Sequence, residues 1–205
     1  KVNERKPAVE KPLPSNFKYP EIFPPNGYYY ELEPVNGFED LNGRVVIHWG
    51  GSTLAWHQWL TEKEIIEILP VGYVKSFPGY LDFILTFDEL VNIINYLDAN
   101  RDWHTMLGAV AGIYLIVDTK TGKQYVGSAY GVDGILGRWT EYAKSLHGGN
   151  IQLQQLLKDD CSYAKNFQYT ILQTLPKTLT KTEVIEYESL YKQKLGTRVF
   201  GLNSN

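Results

Sequence analysis

The segment GIYLIVDTKTGKQYVG, from Gly112 to Gly127, restricts the fold of this chain more than any other segment. Two apolar stretches, each with a tyrosine and a glycine, flank the polar sequence TKTG. β-Branched and aromatic residues on both sides of a glycine-containing turn are typical of a β-hairpin. Tyr114 and Tyr125 would then lie on adjacent strands and converge on one point. By itself, the pattern fits an ordinary hairpin as well as one strand pair of an active site.

The sequence after the hairpin predicts two helices, a strand and a final helix. DGILGRWTEYAKSL (133–146) and NIQLQQLLKDD (150–160) are typical of helices, and NFQYTILQTL (166–175) is typical of a strand. TKTEVIEYESLYKQKLG (180–196) has a threonine cap and a closing glycine. The order β-β-α-α-β-α predicts an α+β fold with a small, mainly antiparallel sheet flanked by helices.

The sequence before the hairpin divides into two further parts. The proline-rich residues 1–27 predict an extended leader without regular elements. Residues 28–103 predict a β-rich accessory region, in which YYYELEPV, GRVVIHW and TLAWHQWL indicate strands and TEKEIIEIL (61–69) fits either a short helix or a strand. TFDELVNIINYLDAN predicts a helix at 86–100. We therefore expect the α+β domain to span 104–205.

Composition excludes several classes of protein. No run of about 18 apolar residues occurs, which excludes a transmembrane helix. No signal-peptide pattern opens the sequence, so we expect neither secretion nor a membrane partner. The lone Cys161 cannot form an internal disulfide, which fits a cytoplasmic location. With one cysteine and four scattered histidines, the chain has no zinc-site spacing.

The net charge of −3 is unevenly distributed along the chain. Residues 1–103 hold 9 Lys and Arg against 15 Asp and Glu, whereas residues 104–205 hold 11 against 8. Because phosphate-facing surfaces are usually basic, we expect such a surface mainly in the second half.

The two hairpin motifs resemble those that name the GIY-YIG nuclease family, with GIY at 112–114 and YVG at 125–127. Four further residues match in the family's order and on the expected elements: Arg138, His147, Glu188 and Asn203. The resemblance covers about residues 108–205. YVGSAYG, GRW, HGGN and FGLNSN are similar to one bacterial branch of the family, which carries an N-terminal extension with segments similar to GRVVIHWG and FPGYLDFILTFDEL.

The resemblance implies a DNA endonuclease that uses a single divalent ion, Mg²⁺ or Mn²⁺. Phosphodiester hydrolysis needs an activated water in line with the leaving oxygen and positive charge on the transition state. Arg138 offers a planar fork matched to phosphate, and Glu188 offers a carboxylate ligand for the metal.

The remaining matched residues concern the proton and the positioning of these groups. Because the pKa of tyrosine is about 10, a tyrosine needs a nearby cation to act as a base. We expect Tyr114 to accept the proton of the water, with Tyr125 as its partner. His147 is expected to assist the leaving group. Asn203 is expected either to lie in a turn or to fix the Glu188 helix by a hydrogen bond.

Four residues near the second motif are expected to contact DNA: Lys123, Arg138, Trp139 and Lys144. Taken singly, the candidate residues also fit structural roles. Tyr114 and Tyr125 fit half-buried strand aromatics, and Arg138 and Glu188 fit solvated helix positions. His147 fits a helix C-terminus. Their joint occurrence in family order favours the nuclease.

The first half leaves its function open. HWGGSTLAWHQW (48–59) fits a β-core packed with tryptophan or a surface on which bases stack. For the whole chain, the alternative to an endonuclease is a non-catalytic nucleic-acid-binding module that keeps the fold. The first half would supply specificity, a partner surface or autoinhibition, and a protein partner would suit a defence or mobile-element system. A single site cuts one strand per engagement, so double-strand cleavage would need a dimer or a second visit.

Overall fold

Two antiparallel strand pairs make up the sheets of the first of two units, Lys1–Leu69, among the residues described there. In the computed structural model, strand β1 (Val2–Pro7) pairs with β2 (Tyr28–Leu32), and β3 (Val45–Ile47) pairs with β4 (Ile65–Ile68). The structure describes residues 2–7, 13, 15–16, 18–22, 26–51 and 61–204. The predicted strand TLAWHQWL lies outside these ranges.

Strand β1 corrects the prediction that residues 1–27 form no regular element. Its sequence, VNERKP, has no proline before its last position, so its backbone N–H groups remain available to pair with β2. The segment 61–69, which fitted a helix or a strand, contains β4. Strands β2 and β3 confirm the interpretation of YYYELEPV and GRVVIHW as strands.

The second unit, Pro70–Asn205, has the predicted α+β fold. Its elements are β5 (Leu85–Thr86), α1 (Phe87–Asn95), α2 (Arg101–Ala109), β6 (Ala111–Asp118), β7 (Gln124–Ala129), α3 (Gly134–Ser145), α4 (Ile151–Leu157), β8 (Phe167–Leu175) and α5 (Lys181–Leu195). Its four strands form one antiparallel sheet in the order β5-β8-β6-β7. Strand β7 is thus an edge strand, followed directly by α3.

The second unit begins well before residue 104, the start expected for the α+β domain. The reason is aromatic packing: the Phe83 ring packs edge-on against Trp103, with centroids 4.8 Å apart, and against Trp139, at 6.2 Å. The Thr170 hydroxyl also donates a hydrogen bond to the Phe83 carbonyl, at 2.8 Å. Residues 70–103 therefore share a core with the sheet of the second unit.

The helix predicted at 86–100 ends early, and a second helix follows that the sequence did not predict. Thr86 caps α1 through a reciprocal pair of hydrogen bonds with Glu89. The chain then turns at Asn100, whose buried side chain donates to the carbonyls of Gly72 and Tyr96. These bonds replace a continuing helix, and α2 starts directly afterwards.

The sheet of the second unit separates two layers. Tyr114 and Ile116 lie in the larger core cluster, which includes residues of α1, α2, α3 and α4. Ile113 and Val126 face the other way and pack with Val184 of α5. This alternation follows from the two-residue period of a strand. In the residues that the structure describes, no helix is long and apolar enough to cross a membrane.

Candidate active site

Tyr114 is held in place by the glycine opposite it. In the β6–β7 register, Tyr114 pairs with Gly127. A Cβ atom at Gly127 would lie 2.4 Å from the Tyr114 hydroxyl, so only glycine lets the ring lie across the neighbouring strand. The side chain of Tyr114 is completely buried, and its hydroxyl lies 3.1 Å from the hydroxyl of Tyr142.

Arg138 joins this buried pair to the solvent. Its Nε donates to the Tyr114 hydroxyl at 3.2 Å, and its guanidinium carbon lies 4.9 Å from the Tyr142 ring centroid. A further nitrogen forms an ion pair with Glu141 on the same helix. Burial alone would lower the pKa of Arg138, but the two tyrosines raise it overall, and the side chain stays charged.

Burial lowers the pKa of an arginine but raises the pKa of a tyrosine, because in each case it favours the neutral form. Burial raises the pKa of Tyr114 far above the ordinary tyrosine value, and the nearby Tyr125 raises it further, whereas Arg138 opposes the shift. Burial likewise raises the pKa of Tyr142. A phenol that is buried and holds its proton this firmly is poorly placed to deprotonate a solvent water. The role of Tyr114 as proton acceptor stays a prediction, and its burial favours the half-buried Tyr125 for contact with a solvent water.

Tyr125 lies on the solvent side of Tyr114, with the two ring centroids 6.5 Å apart. It is half-buried and lines an open cavity of about 870 Å³. Arg138 and Glu188 line the same cavity. The structure therefore brings Tyr125, Arg138 and Glu188 together as the resemblance implies, and Tyr114 contacts the cavity through Arg138.

Glu188 lines the cavity from the middle of α5, a helix with defined caps at both ends. The Thr180 side chain and Glu183 close the first turn, and Gly196 ends the helix with φ 62°. The Glu188 side chain is 14% exposed and accepts a hydrogen bond from the Ser128 hydroxyl. Its other oxygen lies 2.6 Å from the Lys192 ammonium.

The cavity is formally cationic. Four of its lining residues are basic: Arg138, Lys181, Lys192 and Arg198. Three are acidic: Asp133, Glu141 and Glu188. A lining of this kind favours an anionic ligand such as a phosphate.

The donor atoms of the cavity can be compared with those that a divalent ion prefers. Among the described residues, no group of three or more His, Cys, Asp or Glu side chains could hold a metal. Mg²⁺ is commonly bound by one or two carboxylates together with phosphate oxygens and waters. Glu188 supplies one carboxylate beside basic groups that suit a phosphate, so the donor set agrees with such an ion.

Asn203 plays a different part from either of those expected. Its side-chain oxygen accepts from the Val126 N–H at 2.9 Å, and its nitrogen donates to the Val126 carbonyl at 2.8 Å. The side chain therefore binds strand β7 rather than the Glu188 helix. Its own backbone N–H, however, donates to the Thr197 carbonyl just beyond α5. Asn203 thus positions β7 and does not line the cavity.

Burial corrects the prediction for Trp139, and the structure gives His147 a contact that was not predicted. Trp139 is completely buried among Phe83, Tyr114 and Tyr169, so it cannot contact DNA. His147 does not line the cavity; its Nδ1 accepts from the Gly149 N–H at 2.9 Å. This bond closes the turn after α3 and gives His147 a structural contact, while its assistance to a leaving group stays a prediction.

Two predicted DNA contacts lie outside the cavity, and three residues of the site were not predicted. Lys123 and Lys144 are exposed and lie outside the cavity lining, where they remain predicted DNA contacts. Ser128, Tyr142 and Lys192 were not predicted. Only Lys192 left a signal in the sequence, since it follows Glu188 by one helical turn, a spacing that allows an ion pair.

Comparison with known proteins gives two structural matches. No protein-family model and no curated protein sequence matches the chain. A mutant of the catalytic domain of intron endonuclease I-TevI aligns with 28% identity and a TM-score of 0.38, covering 47% of this chain and 94% of that domain. The catalytic domain of homing endonuclease I-TevI aligns with 29% identity and a TM-score of 0.36, covering 45% and 96%. Both names denote an endonuclease.

Proposed function

We propose that the protein is a metal-dependent endonuclease that hydrolyses phosphodiester bonds of DNA. The observation that carries this proposal is the convergence of Tyr125, Arg138 and Glu188 on one cationic cavity. Each comes from a different element, β7, α3 and α5, so their meeting requires the whole fold of the second unit.

Arg138 binds and orients the phosphate. Its side chain is 28% exposed, lines the cavity and donates hydrogen bonds to the hydroxyls of Tyr114 and Tyr142 behind it. A braced guanidinium loses little conformational freedom on binding and places positive charge where the transition state gains negative charge.

Tyr125 contacts the attacking water. It is the tyrosine of the pair that lines the cavity, beside Arg138, whereas Tyr114 is buried. A phenol needs a neighbouring positive charge to accept a proton near neutral pH. Tyr114 therefore acts through Arg138 as a positioning residue.

Glu188 is the protein's ligand for one Mg²⁺ or Mn²⁺. When bound, the ion supplies Lewis-acid stabilisation of charge on the phosphate oxygens. Ser128 fixes the orientation of the Glu188 carboxylate through its hydroxyl. Asn203 holds β7, the strand that carries Ser128 and Tyr125.

The test is cleavage of plasmid and single-stranded DNA with Mg²⁺ or with EDTA. Arg138→Ala removes a positive charge that stabilises the transition state, and Glu188→Gln removes the carboxylate that would hold the metal, so each should lower cleavage by about 100-fold or more. Glu186→Gln is the matched control, since Glu186 lies on the exposed side of the same helix and does not line the cavity. Cleavage without metal, or full activity in both site variants, would contradict the mechanism.

The second candidate function is a non-catalytic nucleic-acid-binding module. The cationic cavity would serve it equally well, but such a module has no need of the Glu188 carboxylate among phosphate-binding groups. Binding of DNA without cutting under any metal condition, with affinity unchanged or raised in Glu188→Gln, would establish this second function instead.

The wider setting is also a proposal. We assign the protein to the cytoplasm on the basis of the free, exposed Cys161, and assign residues 1–69 a role in specificity, partner contact or autoinhibition. Double-strand cleavage would need a dimer or two successive engagements. Sedimentation with and without DNA, compared with the ratio of nicked to linear plasmid over time, separates these two routes.

A further inference from the structure

Lys192 is an unusual residue for its position. Its side chain is only 3% exposed, although it lies in the last turn of α5 between the exposed residues Gln193 and Lys194 and the half-buried Tyr191. Burial of an ammonium is costly unless an anion compensates it. Glu188 is such an anion, and its Oε1 lies 2.6 Å from the Lys192 nitrogen.

The carboxylates that line the cavity are therefore largely engaged before any metal arrives. Glu188 is paired with Lys192 through one oxygen and bonded to Ser128 through the other. Glu141 is paired with Arg138. With four basic and three acidic lining residues, the cavity carries a formal positive charge, which disfavours a free divalent cation.

We propose that Lys192 is the resident cation of Glu188, and that a divalent ion reaches this carboxylate only by displacing the ammonium when DNA is bound. The proposal rests on the proposed function, because it concerns the same carboxylate. A DNA phosphate supplies the negative charge that the cavity lacks, and it offers the displaced ammonium a new partner. Lys192 is thus a positioning residue that couples metal binding to DNA binding.

The coupling has a measurable consequence. If DNA raises the affinity for the metal, the metal must raise the affinity for DNA by the same factor. Without the ammonium, Glu188 is open to the metal at all times, and the coupling should fall. Lys192→Met keeps the unbranched apolar stem of the side chain and removes its charge, and Lys194→Met is the matched control, since Lys194 is exposed on the same turn.

The experiment is Mn²⁺ titration followed by electron paramagnetic resonance, with and without a duplex of uncleavable phosphorothioate DNA. Without DNA, we expect Lys192→Met to bind Mn²⁺ at least tenfold more tightly than the wild type and Lys194→Met. Adding DNA should tighten Mn²⁺ binding at least tenfold in the wild type and less than threefold in Lys192→Met. Glu188→Gln in the Lys192→Met background should abolish the tight site.

Wild-type protein that binds Mn²⁺ as tightly without DNA as with it would overturn the proposal, as would equal affinities of wild type and Lys192→Met. If Lys192→Met does not fold by circular dichroism, the wild-type comparison with and without DNA decides. The Mn²⁺ titration without DNA needs neither cleavage nor DNA binding. If Lys192→Met binds Mn²⁺ tightly in that titration but the wild type shows no nuclease activity, only the proposed function is rejected. If the wild type cleaves DNA but wild type and Lys192→Met bind Mn²⁺ with equal affinity, only the role of Lys192 is rejected.

Discussion

The two walls of the cavity are stabilised by different physics. The tyrosine wall, Arg138 with Tyr114 and Tyr142 buried behind it, is fixed by packing: both rings are completely buried, and Gly127 leaves the space that Tyr114 fills. The carboxylate wall, Ser128, Glu188 and Lys192, is fixed by charge and hydrogen bonding. The first wall should therefore respond to changes of shape, and the second to changes of charge.

The comparison is tested most strongly by removing the hydroxyls of the two tyrosines separately. Tyr125→Phe should lower cleavage by about 10²- to 10⁴-fold with DNA binding retained, because it removes the hydroxyl that contacts the water. Tyr114→Phe should lower cleavage by about tenfold or less, because its hydroxyl braces Arg138 from the core. The measurement is single-turnover cleavage of a labelled duplex together with its binding affinity. An active Tyr125→Phe beside an inactive Tyr114→Phe would return the proton-accepting role to Tyr114.

Shape dependence of the tyrosine wall is tested by Gly127→Ala. The added methyl group would overlap the Tyr114 hydroxyl, so the ring must move, at a cost of about 1–3 kcal/mol in unfolding free energy and about 100-fold in cleavage. Gly108→Ala is the control, since its Cβ would meet no atom closer than 3.7 Å, and helix α2 should gain slightly. Urea denaturation and initial cleavage rates measure both effects. Equal behaviour of the two variants would contradict the packing account.

The smallest expected effect is an alkaline loss of stability. Burial raises the pKa of Tyr114, Tyr142 and Tyr169, so the folded protein keeps these protons after the unfolded chain has released them. The stability that each such group contributes is fully present below a pH of about 10. Above that pH, the free energy of unfolding falls by about 1.4 kcal/mol per pH unit for each group. Tyr114→Phe should remove one group's share of this slope. Denaturant unfolding between pH 9 and 11 measures it, and parallel slopes for the two proteins would refute the assignment.

Much of the second unit could be predicted from the sequence because its patterns are local. The polar turn between two apolar stretches specifies the β6–β7 hairpin, and the threonine and glycine caps specify the bounds of α5. The sheet register then makes Tyr114 and Tyr125 neighbours. Matching Arg138 and Glu188 to a known motif order supplied the rest of the cavity.

What the sequence did not specify depends on contacts between distant residues. Arg138 and Trp139 are adjacent, yet the first lines the cavity and the second is buried, a distinction set by which face of α3 meets the sheet. The inclusion of residues 70–103 in the second unit depends on aromatic contacts such as Phe83 with Trp103. The pairing of Ser128 with Glu188 joins side chains 60 positions apart.

The hydrogen bonds of Asn203 also limit how copies of this protein can assemble. An edge strand offers unpaired backbone groups to which a strand of another molecule can add. On β7, the Asn203 side chain occupies both the N–H and the carbonyl of Val126, and the Leu202 N–H occupies the carbonyl of Gln124. This part of β7 is therefore closed to strand addition, and a continuous sheet between two copies cannot form through these backbone groups.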